Sequence, residues 1–328
     1  MQIQLAYFHS ELDASIVRLL RKFRKENANM IKIIETNIES LRDPFVLVED
    51  GVYYVYGTGV NGKDWDNTIW GCYKNTSGML DGKWEKTENL VYELPENAVK
   101  NRWAPEVYKY KGSYYMFATY YSSRTNHRGC TILKSASPEG PFVEITNGHI
   151  TPDNWDSIDG TFYVDKNGQP WMIFVHEWTC TDDGVGRMVA AKLSDDLTQF
   201  ISDPIELFRA DDPAWTNSRV TDGCFMYETE DHGLMMIWSN SDDERNYCVG
   251  IAHSNNGLVD GKWTQEETPM FSKKTTGKYD GGHGMIFKDN DGKLYMSVHS
   301  PNIPTQERGE RTVFVSVTEK NGTLVCDV

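Results

Sequence analysis

The hydrophobic and polar positions of this chain repeat in a pattern that occurs five times. Each copy has a polar residue, a short apolar run, a turn containing glycine and a second run rich in aromatic residues. The third copy reads IDGTFYVDKNGQPWMIFVHEW, and the copies begin at Arg42, Ala104, Ile158, Thr221 and Gly281. Two apolar runs joined by a glycine turn are typical of a β-hairpin. The pattern therefore predicts five related β-units.

These units recur about every 60 residues, which is the spacing of a repeat architecture. Strand-like pieces such as TIWGCYKN and YCVGIAHS lie between the hairpins, so that each unit holds about four short strands. Four antiparallel strands repeated radially form a propeller blade. We predict an all-β fold, a five-bladed β-propeller, over residues 38–328. A β-sandwich would not place a polar residue at one fixed point of every repeat.

Residues 1–37 are predicted to form a short helical N-terminal extension. Within residues 10–27 the last turns are basic, and the apolar positions recur at helical spacing: Leu12, Ile16, Leu19, Leu20 and Phe23. The alternative is that the first 29 residues are an artefact and that the natural chain starts at Met30, because MIKIIETNIES would be a natural opening.

The polar residue that heads each unit is the first candidate for chemistry. The innermost strands of a propeller line its axis, so equivalent positions on them form a ring. The predicted ring consists of Asp43, Glu106, Asp159, Asp222 and His283. Carboxylates facing one pocket raise each other's pKa, which proteins tolerate at functional sites. A single Asp before Pro or Gly is usually a turn residue, and His283 could be a structural histidine. Five heads in register favour a site.

The second strand of each hairpin runs back to the same face and adds a wall to this pocket. Its last residues include Thr58, Tyr120, His176, Glu177, Trp178, Ser239 and His299. Aromatic rings among carboxylates suit a sugar, which offers an apolar face for stacking and hydroxyls for hydrogen bonds. Trp103 could also serve in packing between blades. The predicted substrate-binding residues are Trp103, Glu106, His176, Glu177, Trp178, His283 and His299.

Composition narrows the choice of partner. A formal charge of −15 and a pI near 5.0 disfavour nucleic acid and anionic membranes, because a polyanion would be repelled. The six cysteines form no CxxC pair and are predicted to be free thiols. No long apolar run and no signal-peptide pattern is visible in the sequence. We therefore expect a cytoplasmic protein that acts on an oligosaccharide and leave its oligomeric state open.

Four motifs carry a resemblance to a known family: RDPF at 42–45, WAPEV at 103–107, IDGTFY at 158–163 and GGHG at 281–284. Together they resemble glycoside hydrolase family 43, the five-bladed propeller glycosidases, over residues 38–328. The resemblance implies an inverting hydrolase in which Asp43 is the general base and Asp159 orients and tunes the general acid. It places Asp222 at the acid, where the family usually has Glu followed by Gly or Ala and then Pro.

That departure leaves Glu106 and Glu177 as alternative proton donors. The resemblance also implies that no cofactor is required and that a structural calcium near the axis is possible, held through water by His283. We expect exo action on short plant-type oligosaccharides, with release of α-L-arabinofuranose. The alternatives are a β-xylosidase or β-galactosidase of the same fold, a β-fructosidase or mannoside phosphorylase of similar architecture, and a sugar-binding propeller without catalysis, which the Asp222 departure supports.

Overall fold

Sheets of short, mostly antiparallel strands are the building unit of this fold. The computed structural model describes residues 33–59, 64–87, 92–305 and 309–327. Helix in this part of the chain is confined to one turn, α1 (Lys273–Thr276). The described chain opens with β1 (Ile33–Glu39), and five sheets follow one another along it. The predicted all-β fold is confirmed.

Apart from β1, each sheet is built from consecutive strands, as expected of a propeller blade. Blade one comprises β2 (Leu41–Glu49), β3 (Val52–Gly59), β4 (Ile69–Asn75) and β5 (Glu85–Lys86). Blade two comprises the outer β6 (Tyr92–Glu93), then β7 (Ala98–Tyr110), β8 (Ser113–Ser122), β9 (His127–Ser135) and β10 (Phe142–Glu144). Blade three comprises β11 (Ser157–Val164), β12 (Pro170–His176), β13 (Arg187–Lys192) and β14 (Ile205–Arg209).

The last two blades complete the ring. Blade four comprises β15 (Asp222–Glu228), β16 (Leu234–Ser241), β17 (Tyr247–Ser254) and β18 (Trp263–Gln265). Blade five comprises β19 (Gly282–Lys288), β20 (Leu294–Ser300) and β21 (Arg311–Lys320), with β22 (Thr323–Cys326) and β1 at its outer edge. The first strand of every blade contacts that of the next, and β19 contacts β2. The five-bladed propeller is thus confirmed.

Local sequence sets the tight hairpins of this fold. In three of them the two turn residues both have positive φ, as a type I′ turn requires, and the second is glycine: Asp50-Gly51, Lys111-Gly112 and Asn321-Gly322. The strands on either side carry aromatic and β-branched residues that are buried against the neighbouring blades. Four apolar clusters lie between adjacent blades, so the core is distributed around the ring.

The ring is closed by the two ends of the described chain. β1 pairs with residues 311–315 of β21, and β22 pairs with residues 317–320 of the same strand. The Thr36 hydroxyl donates to the carbonyl of Thr312 at 2.8 Å, and Ile38 is fully buried. The boundary expected between residues 37 and 38 therefore falls inside a propeller strand, because residues 33–37 pair with the last blade.

The helix predicted within residues 10–27 and the alternative start at Met30 lie outside the described residues. In the described part of the chain, no helix has the length and apolar character needed to cross a membrane.

Candidate active site

A β-bulge interrupts the first strand of every blade. In blade one, Arg42 pairs with Thr58 and Phe45 with Tyr56, so Asp43 and Pro44 bulge out of the ladder. The first bulge residue of each blade, here called the head residue, has left-handed φ: 54° at Asp43, 43° at Ala104, 56° at Asp159, 39° at Gly223 and 50° at His283. Such bulges redirect side chains and are frequent near active sites. Here they open one end of the propeller axis to side chains.

The bulge turns two successive residues of one strand toward the same cavity. In a regular strand, neighbouring side chains point to opposite faces. Here Arg42 and Asp43 both line the cavity at the axis, and so do Ile158 and Asp159. We call the residue before each head residue the wall residue; the five are Arg42, Trp103, Ile158, Asp222 and Gly282.

The register corrects the predicted ring in two blades. Glu106 lies two residues beyond the head residue Ala104 and pairs with Phe117. Asp222 lies one residue before the head residue Gly223 and is a wall residue. The approximate sequence period could not reveal this, because the bulge is located by backbone pairing. Asp43, Asp159 and His283 are true equivalents.

The cavity at the axis has a volume of about 250 Å³. It brings together seven of the predicted site residues: Asp43, Trp103, Asp159, Glu177, Trp178, Asp222 and His283. It also contains four residues that the sequence analysis did not single out: Arg42, Trp65, Ile158 and Tyr247. Arg42 and Ile158 stand directly before predicted carboxylates, so a search for paired bulge positions could have found them.

Asp43 is surrounded by two histidines, an arginine and a hydroxyl group. Its Oδ1 lies 3.2 Å from His283 Nδ1 and 3.6 Å from His299 Nδ1, and Thr58 donates its hydroxyl to Oδ2 at 2.5 Å. Burial pushes the pKa of Asp43 upward, but His283, His299, Arg42 and the Thr58 hydrogen bond outweigh it and hold this pKa below its ordinary value. The carboxylate is therefore ready to accept a proton.

Asp159 and Asp222 experience the opposite environment. Burial, and then the charge of Asp43, raises the pKa of Asp159, although its Oδ2 accepts the Gly223 N–H at 3.0 Å. Burial, and then the charge of Asp159, raises the pKa of Asp222, whose Oδ2 accepts the Tyr247 hydroxyl at 3.1 Å. Asp43 thus has a lowered pKa, and the two other carboxyl groups in the same cavity have raised pKa values.

Two glycines make room for this arrangement. A Cβ on Gly282 would lie 2.6 Å from the ring of Tyr247, and one on Gly223 would lie 2.6 Å from the ring of His283. Such distances are too short for real Cβ contacts. The small wall residue of blade five therefore admits the tyrosine that contacts Asp222.

Arg42 forms one side of the cavity. Its guanidinium donates to Glu310, to the carbonyl of Asn302 at 3.1 Å and to the Asn302 side chain at 2.7 Å. The guanidinium lies over the Trp65 ring, with its Cζ atom 4.9 Å from the ring centroid. Trp65 itself remains 44% exposed. Burial raises the pKa of Glu310 to about 7, although Arg42 opposes this. The arginine is fixed by these partners and keeps its positive charge near Asp43.

Glu177 is engaged in a different contact. Arg128 donates to both of its carboxylate oxygens at 2.8 Å, and the same guanidinium lies 5.5 Å from the Trp103 ring centroid. Trp103 in turn donates its indole N–H to the carbonyl of Trp65 at 3.2 Å. With both oxygens held by arginine, Glu177 is poorly placed to donate a proton. This network instead fixes the orientation of Trp103.

Three predicted substrate contacts are not among the described residues that line the cavity. The Glu106 carboxylate lies one layer deeper and accepts the Tyr108 hydroxyl at 2.6 Å; burial raises its pKa to about 8. His176 stacks on Trp155 with a centroid distance of 3.8 Å, because the position that pairs with the wall residue is Val175. His299 is fully buried behind Asp43. The expectation also failed for Tyr120, which donates to Glu144.

A calcium ion near the axis would need oxygen ligands from the residues that surround it. Calcium usually takes six to eight oxygen ligands. In the described part of the chain, no group of three or more His, Cys, Asp or Glu side chains is arranged to hold a metal ion. His283 directs its Nδ1 toward Asp43 and, at 3.8 Å, toward Asp159. These residues do not offer a direct calcium-binding set, and no chemical step below uses the ion.

Comparisons with known proteins agree with this geometry. The sequence profile of Glycosyl hydrolases family 43 matches residues 36–324. A crystal structure titled endo-arabinase from Bacteroides thetaiotaomicron is 35% identical, with a TM-score of 0.75, over 88% of this chain and 98% of that one. The extracellular exo-α-(1→5)-L-arabinofuranosidase ArbA of Cellvibrio japonicus is 24% identical over 79% of this chain and 78% of that protein. An α-L-arabinofuranosidase structure from Lactobacillus brevis shares the fold, with 16% identity, a TM-score of 0.68 and coverage of 89% and 95%.

Proposed function

The chain belongs to glycosyl hydrolases family 43, and from this membership we propose that it is an inverting exo-glycosidase that releases α-L-arabinofuranose from short oligosaccharides. It is an O-glycosyl hydrolase, and its substrate is an oligosaccharide. The observation that carries the proposed mechanism is the meeting of Asp43, Asp159 and Asp222 in one cavity, with pKa values shifted in opposite directions. Hydrolysis of a glycoside needs such a base and acid.

In the proposed reaction, Asp43 takes a proton from a water molecule that attacks the anomeric carbon. Its lowered pKa keeps it ionised, and the Thr58 hydroxyl and the histidines orient it. Asp222 protonates the departing oxygen, which its raised pKa allows near neutral pH. The Tyr247 hydroxyl and the Asp159 carboxylate hold this acid in place. Trp103 and Trp178 contribute apolar surface for the sugar ring.

The cavity limits how much of the substrate can lie beside the three carboxyl groups. Pockets that enclose drug-sized ligands have volumes of roughly 300–1,000 Å³, and this cavity has about 250 Å³. A space of that size suits one or two sugar rings. The named activity of the Cellvibrio japonicus relative agrees with terminal release of arabinofuranose.

Internal cleavage of arabinan is the second candidate. The observation in its favour is the 35% identity to the structure titled endo-arabinase, which spans almost the whole of that chain. The two activities differ in whether the sugar chain can extend past the cavity at both ends.

Product analysis decides between them. The enzyme would be given linear arabinan and, separately, nitrophenyl glycosides of α-L-arabinofuranose, β-D-xylose and β-D-galactose. Exo action predicts arabinose as the first product and turnover of the arabinofuranoside, with the inverted anomer seen by NMR before mutarotation. Short oligosaccharides without early arabinose would establish endo action. Turnover confined to the xyloside or galactoside would show that the enzyme releases that sugar instead of arabinofuranose. Binding of sugar without any turnover would favour the sugar-binding alternative.

Residues 1–37 are proposed as an N-terminal extension whose last residues join the propeller.

A cytoplasmic location is also proposed. The six cysteines are free thiols, which agrees with a reducing compartment.

A calcium ion bound through water near His283 is a further proposal. Activity measured before and after dialysis against a chelator would test it.

A further inference from the structure

A repeated hydrogen bond links each blade to the next. The residue that pairs with the wall residue on the second strand, here called the acceptor position, is Thr58, Thr119, Val175, Ser239 or His299 in blades one to five. In four cases its side chain accepts the backbone N–H of the next head residue. The distances are 2.8 Å from Ala104 to Thr58, 3.1 Å from Asp159 to Thr119, 2.7 Å from His283 to Ser239 and 3.3 Å from Asp43 to His299.

Blade three departs from this pattern because its acceptor position is Val175. A valine side chain has no hydrogen-bond acceptor, and this one is fully buried. The N–H of Gly223, the head residue of blade four, donates instead to Oδ2 of Asp159 at 3.0 Å. A buried N–H without a partner would be costly. The carboxylate therefore replaces the missing hydroxyl in the ring of hydrogen bonds.

The position of this bond matters because Gly223 directly follows Asp222 in the chain. We propose that Val175 is a positioning residue: by withholding the acceptor present in the other four blades, it makes the Asp159 carboxylate hold the backbone that carries Asp222. The activity part of this inference rests on the proposed function. The hydrogen-bond part does not, because it concerns the folded protein alone.

The first test is a double-mutant cycle with Asp159→Ala and Val175→Thr, read by thermal unfolding. In the wild type, Val175→Thr buries a hydroxyl that is not needed, so Tm should fall or stay unchanged. In the Asp159→Ala background the same hydroxyl should accept the Gly223 N–H and raise Tm by about 2–4 °C. A rise in Tm that occurs only in the Asp159→Ala background is the expected result. Equal shifts of Tm in the two backgrounds would overturn the proposal.

Val189→Thr is the matched control. Val189 is also buried in blade three, but it lies on β13 rather than at an acceptor position. Its effect on Tm should be the same with and without Asp159. Should a double variant fail to fold, hydrogen exchange of the Gly223 amide supplies the answer. We expect protection in Asp159→Asn, whose amide oxygen can accept, and faster exchange in Asp159→Ala; equal exchange in the two would contradict the proposal.

The second test is kinetic. In the otherwise wild-type enzyme, the hydroxyl introduced by Val175→Thr competes with Asp159 for the Gly223 N–H. We expect kcat to fall about tenfold, the equivalent of one hydrogen bond, while KM stays within about twofold. Val189→Thr should leave both unchanged. An unaltered kcat in Val175→Thr would refute the positioning role. A wild type inert on every glycoside would instead refute the proposed function, and the Tm cycle would still decide whether Asp159 holds Gly223.

Discussion

Asp43 combines a strained backbone with a stabilised negative charge. Its φ of 54° lies in the left-handed region, which costs about 1–3 kcal/mol for such a residue. The Arg42 guanidinium, the rings of His283 and His299 and the Thr58 hydroxyl surround its carboxylate. All five head residues share the left-handed φ, so this conformation belongs to the bulge. The charged and polar groups around the Asp43 carboxylate are what indicate a functional position.

Changing Asp43→Asn should therefore remove activity and preserve the fold. Asparagine tolerates positive φ, and its amide oxygen can still accept from Thr58. Without a base, turnover should fall by at least about 10²–10⁴-fold. Steady-state kinetics and thermal unfolding would be measured together. A variant that lost its fold would show that the RDP segment serves structure.

The identity of the acid can be tested through the leaving group. Asp222→Asn should abolish turnover of ordinary arabinofuranosides, because the departing oxygen is no longer protonated. A dinitrophenyl glycoside needs little protonation and should retain a substantial part of its rate. The corresponding Gln variants at Glu106 and Glu177 serve as comparisons. If the dinitrophenyl glycoside restored turnover in one of those Gln variants but not in Asp222→Asn, the general acid would be that glutamate instead of Asp222.

Asp159 should make stability depend on pH in a predictable direction. Its pKa is raised in the folded state, first by burial and then by Asp43. Its proton stabilises the fold fully below the unfolded pKa of about 3.9, and this contribution is lost as pH rises through the folded value. Asp159→Asn needs no proton, so its Tm relative to wild type should increase between pH 5 and pH 8. Asp203→Asn, at an exposed position, is the control and should show no such trend. A Tm difference between Asp159→Asn and wild type that stayed constant with pH would contradict the raised pKa of Asp159.

At the scale of elements, the bulge and the closing strand do most to define the molecule. The bulge lets wall and head residues of one strand face the same cavity, which an uninterrupted strand would not permit. The closing strand β1 pairs with β21 and makes the last blade contain both ends of the described chain. One element builds the site and the other fixes the ring around it.

The contribution of β1 can be measured at Ile38. This side chain is fully buried with Phe314 and other residues of the largest apolar cluster. Ile38→Ala should lower the free energy of unfolding by about 2–5 kcal/mol through lost burial and the cavity left behind. Glu39→Ala, on the exposed side of the same strand, should change it by less than about 0.5 kcal/mol. Urea denaturation would compare them; similar losses would mean that β1 contributes little packing.

At the scale of the whole molecule, three blades contribute coupled carboxyl groups to one cavity. Asp43 comes from blade one, Asp159 from blade three and Asp222 from blade four. Their titration is shared, so the pKa values seen in kinetics belong to the group rather than to one residue. The ring geometry therefore determines the acid and base chemistry.

This coupling predicts a bell-shaped dependence of kcat/KM on pH. The acidic limb should lie below the ordinary pKa of Asp, because the base is held ionised. The basic limb should lie well above it, because burial and neighbouring charge favour the protonated acid. Asp159→Asn should move the basic limb to lower pH by removing the negative charge beside Asp222. A limb that stayed in place would mean that Asp159 acts on Asp222 through geometry alone.

The sequence by itself determined the class of fold and the acidic character of the site. Hairpin patterns, glycine turns and a fixed repeat length depend on neighbouring residues, so they can be recognised from the sequence alone. Those signals gave the five blades, and the motifs around Asp43 and Asp159 pointed to a carboxylate site. The same local information could not locate the bulges, since a bulge is defined by pairing with another strand.

Tertiary structure alone decided which residues meet at the axis. A shift of one position turns a strand side chain to the other face, which is why His176 leaves the cavity. Glu106 lies two residues past its head residue and one layer deeper, and Asp222 enters the cavity as a wall residue. Tyr247 joins from a third strand because Gly282 leaves space for its ring. The missing hydrogen-bond acceptor at Val175 can be recognised only by comparison with the acceptor positions of the other four blades. The pKa shifts likewise arise from burial and from charges on separate blades, distances that only the closed ring can set.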